Sequence, residues 1–248
     1  AMLVRQYYTG GYYPLGVASG SGFTPSGALV RATLMNTGQD MAPAGYPSNA
    51  EGWGRVKLDD ALYFPGDARK MLVKDVRNSA GLSTGGIDTT NITVLGSSQQ
   101  LRITVAWTEP PGAAGAANPV INDLDLEVVD ALGNTYLGNV FNTTTGQSQT
   151  GGVKDGKNII EQVHVANPPA GPWSVRVKGG AVAQGTQGFA VVVTGDIQSG
   201  TPPPLVLNLP SGTPALIPPG SPTNIDVQVI PGSQTVVAGS PAMLYRYN

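Results

Sequence analysis

Apolar positions along this chain keep two different periods, and the change from one to the other falls near residue 70. In the opening stretch Met2, Leu3, Val4, Tyr7 and Tyr8 recur at helical spacing, and Gly10, Gly11 and Pro14 end that run. A second helix is better marked. Ser26 stands as its N-cap after Pro25, Ala28, Leu29, Val30, Ala32, Leu34 and Met35 follow, and Gly38 is its expected stop. Only Arg31 and Thr33 interrupt that apolar run, so burial on several sides is predicted. A third, short helix is expected through Leu58, Ala61 and Leu62, ending at Pro65 and Gly66. Just before it, Gly52 and Gly54 frame Trp53, whose indole is expected to lie flat over neighbouring elements as a core anchor, burying on the order of 200 Å².

Beyond residue 70 apolar and polar positions alternate. Met71 to Val76, Ile92 to Leu95, Leu101 to Trp107, Leu124 to Val129, Gln162 to Val165, Trp173 to Val177 and Phe189 to Thr194 read as short strands separated by Gly, Asn and Pro. The fold class is therefore mainly β, a jelly-roll-like β-sandwich preceded by a small helical head. The segment from Asp130 to Thr135 reads as a hairpin turn, with Gly133 and Asn134 taking the positive φ angles. The domain organisation expected is a head over 1–66, a sandwich over 67–197, a stiff Pro-rich linker over 198–204, and a further β module or packed arm over 205–248. Strand candidates in that last part are Leu205 to Leu209, Ile225 to Ile230 and Thr235 to Val237.

Composition narrows the functional classes. Charged residues make up only 12% of the 248, while 34 Gly and 21 Pro imply many turns. A net charge of −2 with no Lys/Arg run argues against nucleic acid as a partner. No apolar run approaches the length of a bilayer span, so no membrane partner is expected. Residues 1–5 start inside an apolar helical pattern with no charged leader before it, which reads as a helix already under way. The chain has no cysteine, hence neither disulfides nor thiolate metal sites. Low charge with Thr-, Ser-, Asn- and Gly-rich strands leans toward an exported protein.

Particular segments resemble the subtilisin-like serine proteases. "TPSGALVRATLMNTG" followed by "YP…EGWGRVKLDDAL" is similar to the end of their catalytic domain, and "AMLVRQYY" to the last turns of the helix that starts at their catalytic serine. "LRITVAWTEPPG", "NPVINDLDLEVVD", "GNTYLGN", "DGKNIIEQVHV" and "GPWSVRVKG" resemble the P-domain-like sandwich that follows in one branch of the family. The likeness runs over residues 1–197, and its most specific parts are the Gly-Trp-Gly-Arg segment and "NDLDL". It implies that residues 1–66 are the remnant of an α/β subtilisin domain. It also implies a secreted endopeptidase acting on polypeptide substrates, with the rest of the catalytic domain as intramolecular partner. The triad that such catalysis needs would lie upstream, and no catalytic residue is assigned here. His164 alternates within a strand, where an exposed or capped role is expected, and no serine sits in a nucleophile setting.

One segment carries chemistry of its own. In "NDLDLE" a strand sends Leu124 and Leu126 to the core and Asp123, Asp125 and Glu127 to the other face, about 6.8 Å apart. Three like charges in line repel, and Ca²⁺, which takes six to eight oxygen ligands, would offset that repulsion. Asp155-Gly156-Lys157-Asn158-Ile159-Ile160-Glu161 supplies a second acidic and amide group after a Gly turn. The resemblance implies calcium at these two segments, with Asp125, Asp155, Asn158 and Glu161 as ligands and Asp123 and Asn122 as further candidates; Val140 and Glu109 depart from its pattern. Tyr7, Tyr8, Tyr12 and Tyr13 are expected to cover a helix end. Asn91-Ile92-Thr93 and Asn142-Thr143-Thr144 match a glycosylation acceptor pattern that is short enough to arise by chance.

The reading is the C-terminal portion of a secreted subtilisin-like endopeptidase, inactive by itself, whose sandwich stabilises the catalytic domain and shapes substrate access. The competing reading is a non-catalytic adhesion module displaying loops to a carbohydrate or cell-wall polymer; a degenerate pseudoenzyme is a third. A head docked on the sandwich with no sizeable apolar patch left open would favour adhesion.

Overall fold

A computed structural model describes residues 1–41, 45–116, 118, 120–199, 205–208 and 228–231, the last two stretches and Ser199 by backbone alone. Of the linker expected over 198–204, residues 198–199 belong to a strand and 200–204 lie outside the described residues, as does the strand candidate Thr235 to Val237. Two helices come first, α1 (Met2–Thr9) and α2 (Gly27–Met35), followed by a small ribbon of β1 (Gly38–Gln39) and β2 (Arg55–Val56). The third helix expected around Leu58 is a single 3-10 turn, Leu58–Asp60.

The sandwich is built from β3 (Lys70–Val76), β4 (Ile87–Val94), β5 (Leu101–Trp107), β6 (Asn122–Val129), β7 (Thr135–Asn142), β8 (Gln147–Thr150), β9 (Ile160–Val165), β10 (Gly171–Val182), β11 (Phe189–Gly195) and β12 (Ile197–Ser199). All pairings are antiparallel, in a six-stranded sheet of order β12-β4-β10-β6-β7-β8 and a four-stranded sheet of order β3-β11-β5-β9. Residues 1–200 form one compact unit, with the helical head continuous with the sandwich, and 201–248 form another. In the latter, β13 (Leu205–Asn208) pairs antiparallel with β14 (Gln228–Pro231).

Two cores explain why the sequence folds this way. Between the sheets, Ile103, Val105 and Trp107 meet Leu124, Leu126 and Val128, and Trp173 and Phe189 fill the centre. Behind the four-stranded sheet, Val4, Tyr8, Leu29 and Ala32 of the helices cover Ala106, Ala190 and Val192. β11 therefore has an apolar layer on each face, which is why its run Phe189 to Val193 has no polar break and all seven of its residues are buried. Small Ala106 and Ala190 let α2 sit close to the sheet. The chain's own sheet, not a larger globule, shelters the inner faces of both helices. The outer side of α1 stays open: Met2 is 87% and Leu3 62% exposed.

Capping fixes where α2 begins. Ser26 Oγ accepts from the Leu29 amide at 2.9 Å, as an N-cap should, and the Asp75 carboxylate of β3 accepts from both the Ser26 amide and hydroxyl. The helix stops at Met35 because Asn36, fully buried, turns its amide toward the sheet. Its Nδ2 donates to Thr194 Oγ1 at 2.7 Å, and its Oδ1 accepts from Thr104 at 2.9 Å.

Trp53 is half-buried and set edge-on to Phe141, with ring centres 6.0 Å apart, so it is a partial cover and not a core anchor. The tyrosines pack as expected, with Tyr7, Tyr8, Tyr12 and Tyr13 joining Phe23 and Phe64 in one aromatic cluster. At the 130–135 hairpin only Gly133 has positive φ, 86°. Asn134 instead gives its backbone and side-chain N–H groups to the Asp130 carboxylate, an Asx-type closure. His164 is buried, contrary to an exposed strand position: it lies between Tyr46 and Phe141 and shares a 2.7 Å bond with Gln162 Oε1.

Candidate metal centre

The chemistry-bearing residues gather where β7 leaves β6. The β6–β7 register runs only through Glu127↔Leu137, Val128↔Tyr136 and Val129↔Thr135. Beyond it, Gly138 and Asn139 turn β7 aside, and Asn139 holds φ 60°, the only positive φ outside glycine among the described residues. Its conformation is tied down: Asn139 Nδ2 donates to Asp155 Oδ2 at 2.6 Å and to the Ile160 carbonyl at 2.8 Å, while its Oδ1 accepts from the Gln162 amide. A side chain then fills the gap left on the edge of β6. Glu161 reaches across from β9, and its Oε2 accepts from the Leu126 amide at 2.7 Å. Gly138 makes room for it, since a Cβ there would come within 2.7 Å of Glu161 Cβ and 2.8 Å of its Cδ.

Asp123 and Asp125 sit on the outer face of β6, as alternation requires, and converge over a bulge in β10. Register shifts between Gly179 and Ala181, and a Cβ on the intervening Gly180 would lie 2.8 Å from Asp125 Oδ2 and 3.0 Å from Asp123 Oδ2. Glu127, third in the row, is neutralised locally by Arg176 at 3.0 Å and Lys178 at 2.6 Å. Burial alone would raise its carboxyl, but those two hydrogen bonds hold it below the usual range. Asp155 closes the cluster from the 151–159 loop. Burial would raise it too, yet hydrogen bonds from Asn139, Asn158 and the Lys157 and Asn158 amides keep it low.

What remains is an imbalance. Asp123 Oδ1, Asp125 Oδ1 and Glu161 Oε1 are buried and have no hydrogen-bond partner. Burial first, then the charges of Asp125 and Asp155, pushes the Asp123 carboxyl up. Burial likewise drives Glu161 up to about 9, the bond from Leu126 offsetting only part of it and the neighbouring aspartates adding to it. Buried acceptors without donors are costly and rare. The positive charge that does reach the cluster is Lys154, whose Nζ stands 2.6 Å from Asp125 Oδ2. Among the described residues no group of three or more acidic or histidine side chains is placed so that it could hold a metal ion. In its chemistry alone, all oxygen with several carboxylates and three unpartnered oxygens, the donor set is of the kind that hard divalent cations take.

Of the sequence candidates, the structure brings Asp123, Asp125, Asp155 and Glu161 together. Asn158 belongs to the periphery, with Nδ2 spent on Asp155 Oδ2 at 2.6 Å. Asn122 points elsewhere: its Nδ2 donates to the Gln184 carbonyl and to Gln187 Oε1, and its Oδ1 accepts from the Gln184 amide. Glu109 is likewise structural, accepting from Trp107 Nε1 and from the Ile121 and Asn122 amides at the start of β6. Sequence reasoning missed Lys154, Gly138, Asn139 and Gly180; a Gly-Asn pair inside a half-buried strand was the available signal for the β7 distortion.

A second feature lies on the head. Leu3, Tyr7, Tyr12, Leu58, Leu62 and Phe64 line an open, mostly apolar groove of about 410 Å³. Tyr7 closes its floor by donating to the Tyr63 carbonyl at 2.7 Å.

No family model matches the chain. It is similar to three Dictyostelium discoideum proteins named serine protease/ABC transporter B family protein. It is 29% identical to tagA over 199 residues, covering 78% of this chain and 11% of that protein. With tagD it shares 28% over 193 residues, 61% of this chain and 10% of that protein. With tagB it shares 23% over 240 residues, 78% and 12%. The chain thus spans about a tenth of the length of these relatives. A solved Bacillus licheniformis lipase aligns over 51% of the chain at a TM-score of 0.28, too slight a likeness to carry any argument. The chain is distantly related to proteins named as serine proteases.

Proposed function

We propose that this chain is the C-terminal portion of a secreted subtilisin-like serine endopeptidase, in which the sandwich stabilises the end of the catalytic domain and takes up a hard cation. The observation that carries this is the two-sided head. α1 and α2 are buried on the sheet, while α1 and the 58–64 segment leave an apolar groove around Leu3, Tyr12 and Phe64 open, as a segment does when it joins two bodies. The likeness to proteins named as serine proteases supports the same reading. Polypeptide substrates and the residues that cleave them belong to the rest of such a protein.

In this reading Asp123, Asp125, Asp155 and Glu161 would hold Ca²⁺, which supplies charge neutralisation where acceptors are orphaned. Asn139 and Asn158 orient Asp155, and the Leu126 amide orients Glu161. Docking of the head on the sandwich taken alone also suits an adhesion module; the open groove is what weighs against that reading.

Two measurements test the proposal. A fluorophosphonate probe should leave the 248-residue chain unlabelled, and stoichiometric labelling overturns the statement that it holds no nucleophile. In the complete protein, Leu3→Asp should shorten the half-life of peptidase activity on heating, while the same change leaves the melting of the 248-residue chain unchanged. Unaltered half-life would reject the joining role.

A further inference from the structure

The cation reading leaves Lys154 unexplained. Its ammonium makes a 2.6 Å ion pair with Asp125, whose side chain is 3% exposed, while its own side chain is 52% exposed. It therefore enters the cluster from the solvent side. It reaches one oxygen of one carboxylate and leaves Asp125 Oδ1, Asp123 Oδ1 and Glu161 Oε1 unpartnered, the first and last on residues 2% and 1% exposed. The neighbouring residue Asp155 faces the same cluster and is already satisfied by amide donors, so ligand and ammonium ride on one loop, entered through Gly151 and Gly152 with φ of 79° and 82°.

We infer that Lys154 is a tethered competitor of the cation: its ammonium holds the ion-free site together and must swing out of it for a hard divalent cation to be taken up. This rests on the cation reading above and adds the regulation of that site. Lysine suits the part because its charge is a compact point on a flexible stem, free to leave without moving backbone. A doubly charged ion reaching several carboxylates gains more from them than a single ammonium does, so exchange is favourable, but only by the difference. The consequence has two signs. Without Lys154 the ion-free sandwich loses its counterion and is less stable, yet cation affinity rises because nothing has to be displaced. A merely structural salt bridge predicts the first effect without the second.

The test is equilibrium dialysis of the full chain with radiolabelled Ca²⁺, alongside thermal melting in chelator, for the parent chain, Lys154→Gln and Lys154→Arg. Lys154→Gln should melt lower in chelator and bind calcium about tenfold more tightly, while Lys154→Arg, which keeps the charge, stays near the parent in both. Equal or weaker binding by Lys154→Gln overturns the competitor role and leaves the cation reading standing. Absence of calcium binding in all three chains sinks the cation reading and this inference with it.

Discussion

Glu161 and Leu126 are joined by a 2.7 Å hydrogen bond from amide to carboxylate across strands that do not pair. The carboxylate stands where a strand carbonyl would have stood had β7 kept its register, since Leu126 falls opposite Gly138 when that register is continued. Sheet continuity has been exchanged for an acidic side chain held deep in the fold.

Gly138→Ala tests that exchange. The added Cβ would wedge against Glu161 Cβ and Cδ, both under 3 Å away, so the carboxylate must move off Leu126. Destabilisation of about 1–3 kcal/mol is expected by urea melting, together with weaker calcium binding. A variant as stable as the parent would show that the gap relaxes freely.

Acid should unfold the sandwich through His164. Burial, joined by the charge of Arg102 opposite it on β5, lowers its pKa from 6.5 to about 3. The folded state therefore binds the proton less readily than the unfolded one, and the stability contributed by the neutral ring is lost as pH falls below 6.5. Between the two values the slope from this group approaches about 1.4 kcal/mol per pH unit, and His164→Gln should flatten it. Denaturant titrations of both chains at pH 7, 6 and 5 make the comparison; parallel curves would refute the assignment.

The head should respond in opposite ways on its two sides. Leu29 is fully buried against β11 and β5, and Leu29→Ala should cost about 2–5 kcal/mol. Leu3 is 62% exposed, and Leu3→Ala should change stability by under about 0.5 kcal/mol. Equal losses at both sites would mean that the groove is covered in solution.

At the start of α2, Ser26→Ala removes the acceptor for the Leu29 amide and a donor to Asp75 at once. A loss of about 1–2 kcal/mol is expected in thermal melting, larger than for an ordinary cap, because it also loosens the helix from β3.

Much of this was legible in the residues. Strands whose apolar positions face the inter-sheet core, β5, β6 and β11 above all, were readable from alternation or from an unbroken apolar run. Missed were the short β1, β2 and β12 and, more tellingly, β7 and β8. Thr135–Asn142 interposes Gly138 and Asn139, and Gln147–Thr150 is wholly polar, so neither displays the period that burial imposes on one face. The change of period near residue 70 was visible, and it marks the passage from helices to strands within the compact unit of residues 1–200.

At the site, the outward placing of Asp123 and Asp125 followed from the strand period, whereas Asp155 and Glu161 were singled out by the family resemblance. Lys154 was invisible because an exposed lysine carries no pattern, and Gly180 because a bulge is set by two strands together. Asn122 was misplaced for a plain reason: a residue at the first position of a strand belongs as much to the loop before it, and here its amide serves Gln184 and Gln187.

The covering of β11 on both faces fixes how this polypeptide can be dissected. A truncation beginning at Asp67 keeps every strand of the two sheets yet strips the layer from Met71, Ala106, Ala190 and Val192. Such a fragment would carry a greasy wall into solvent and clump with its own copies, so the smallest piece worth expressing starts at the first helix.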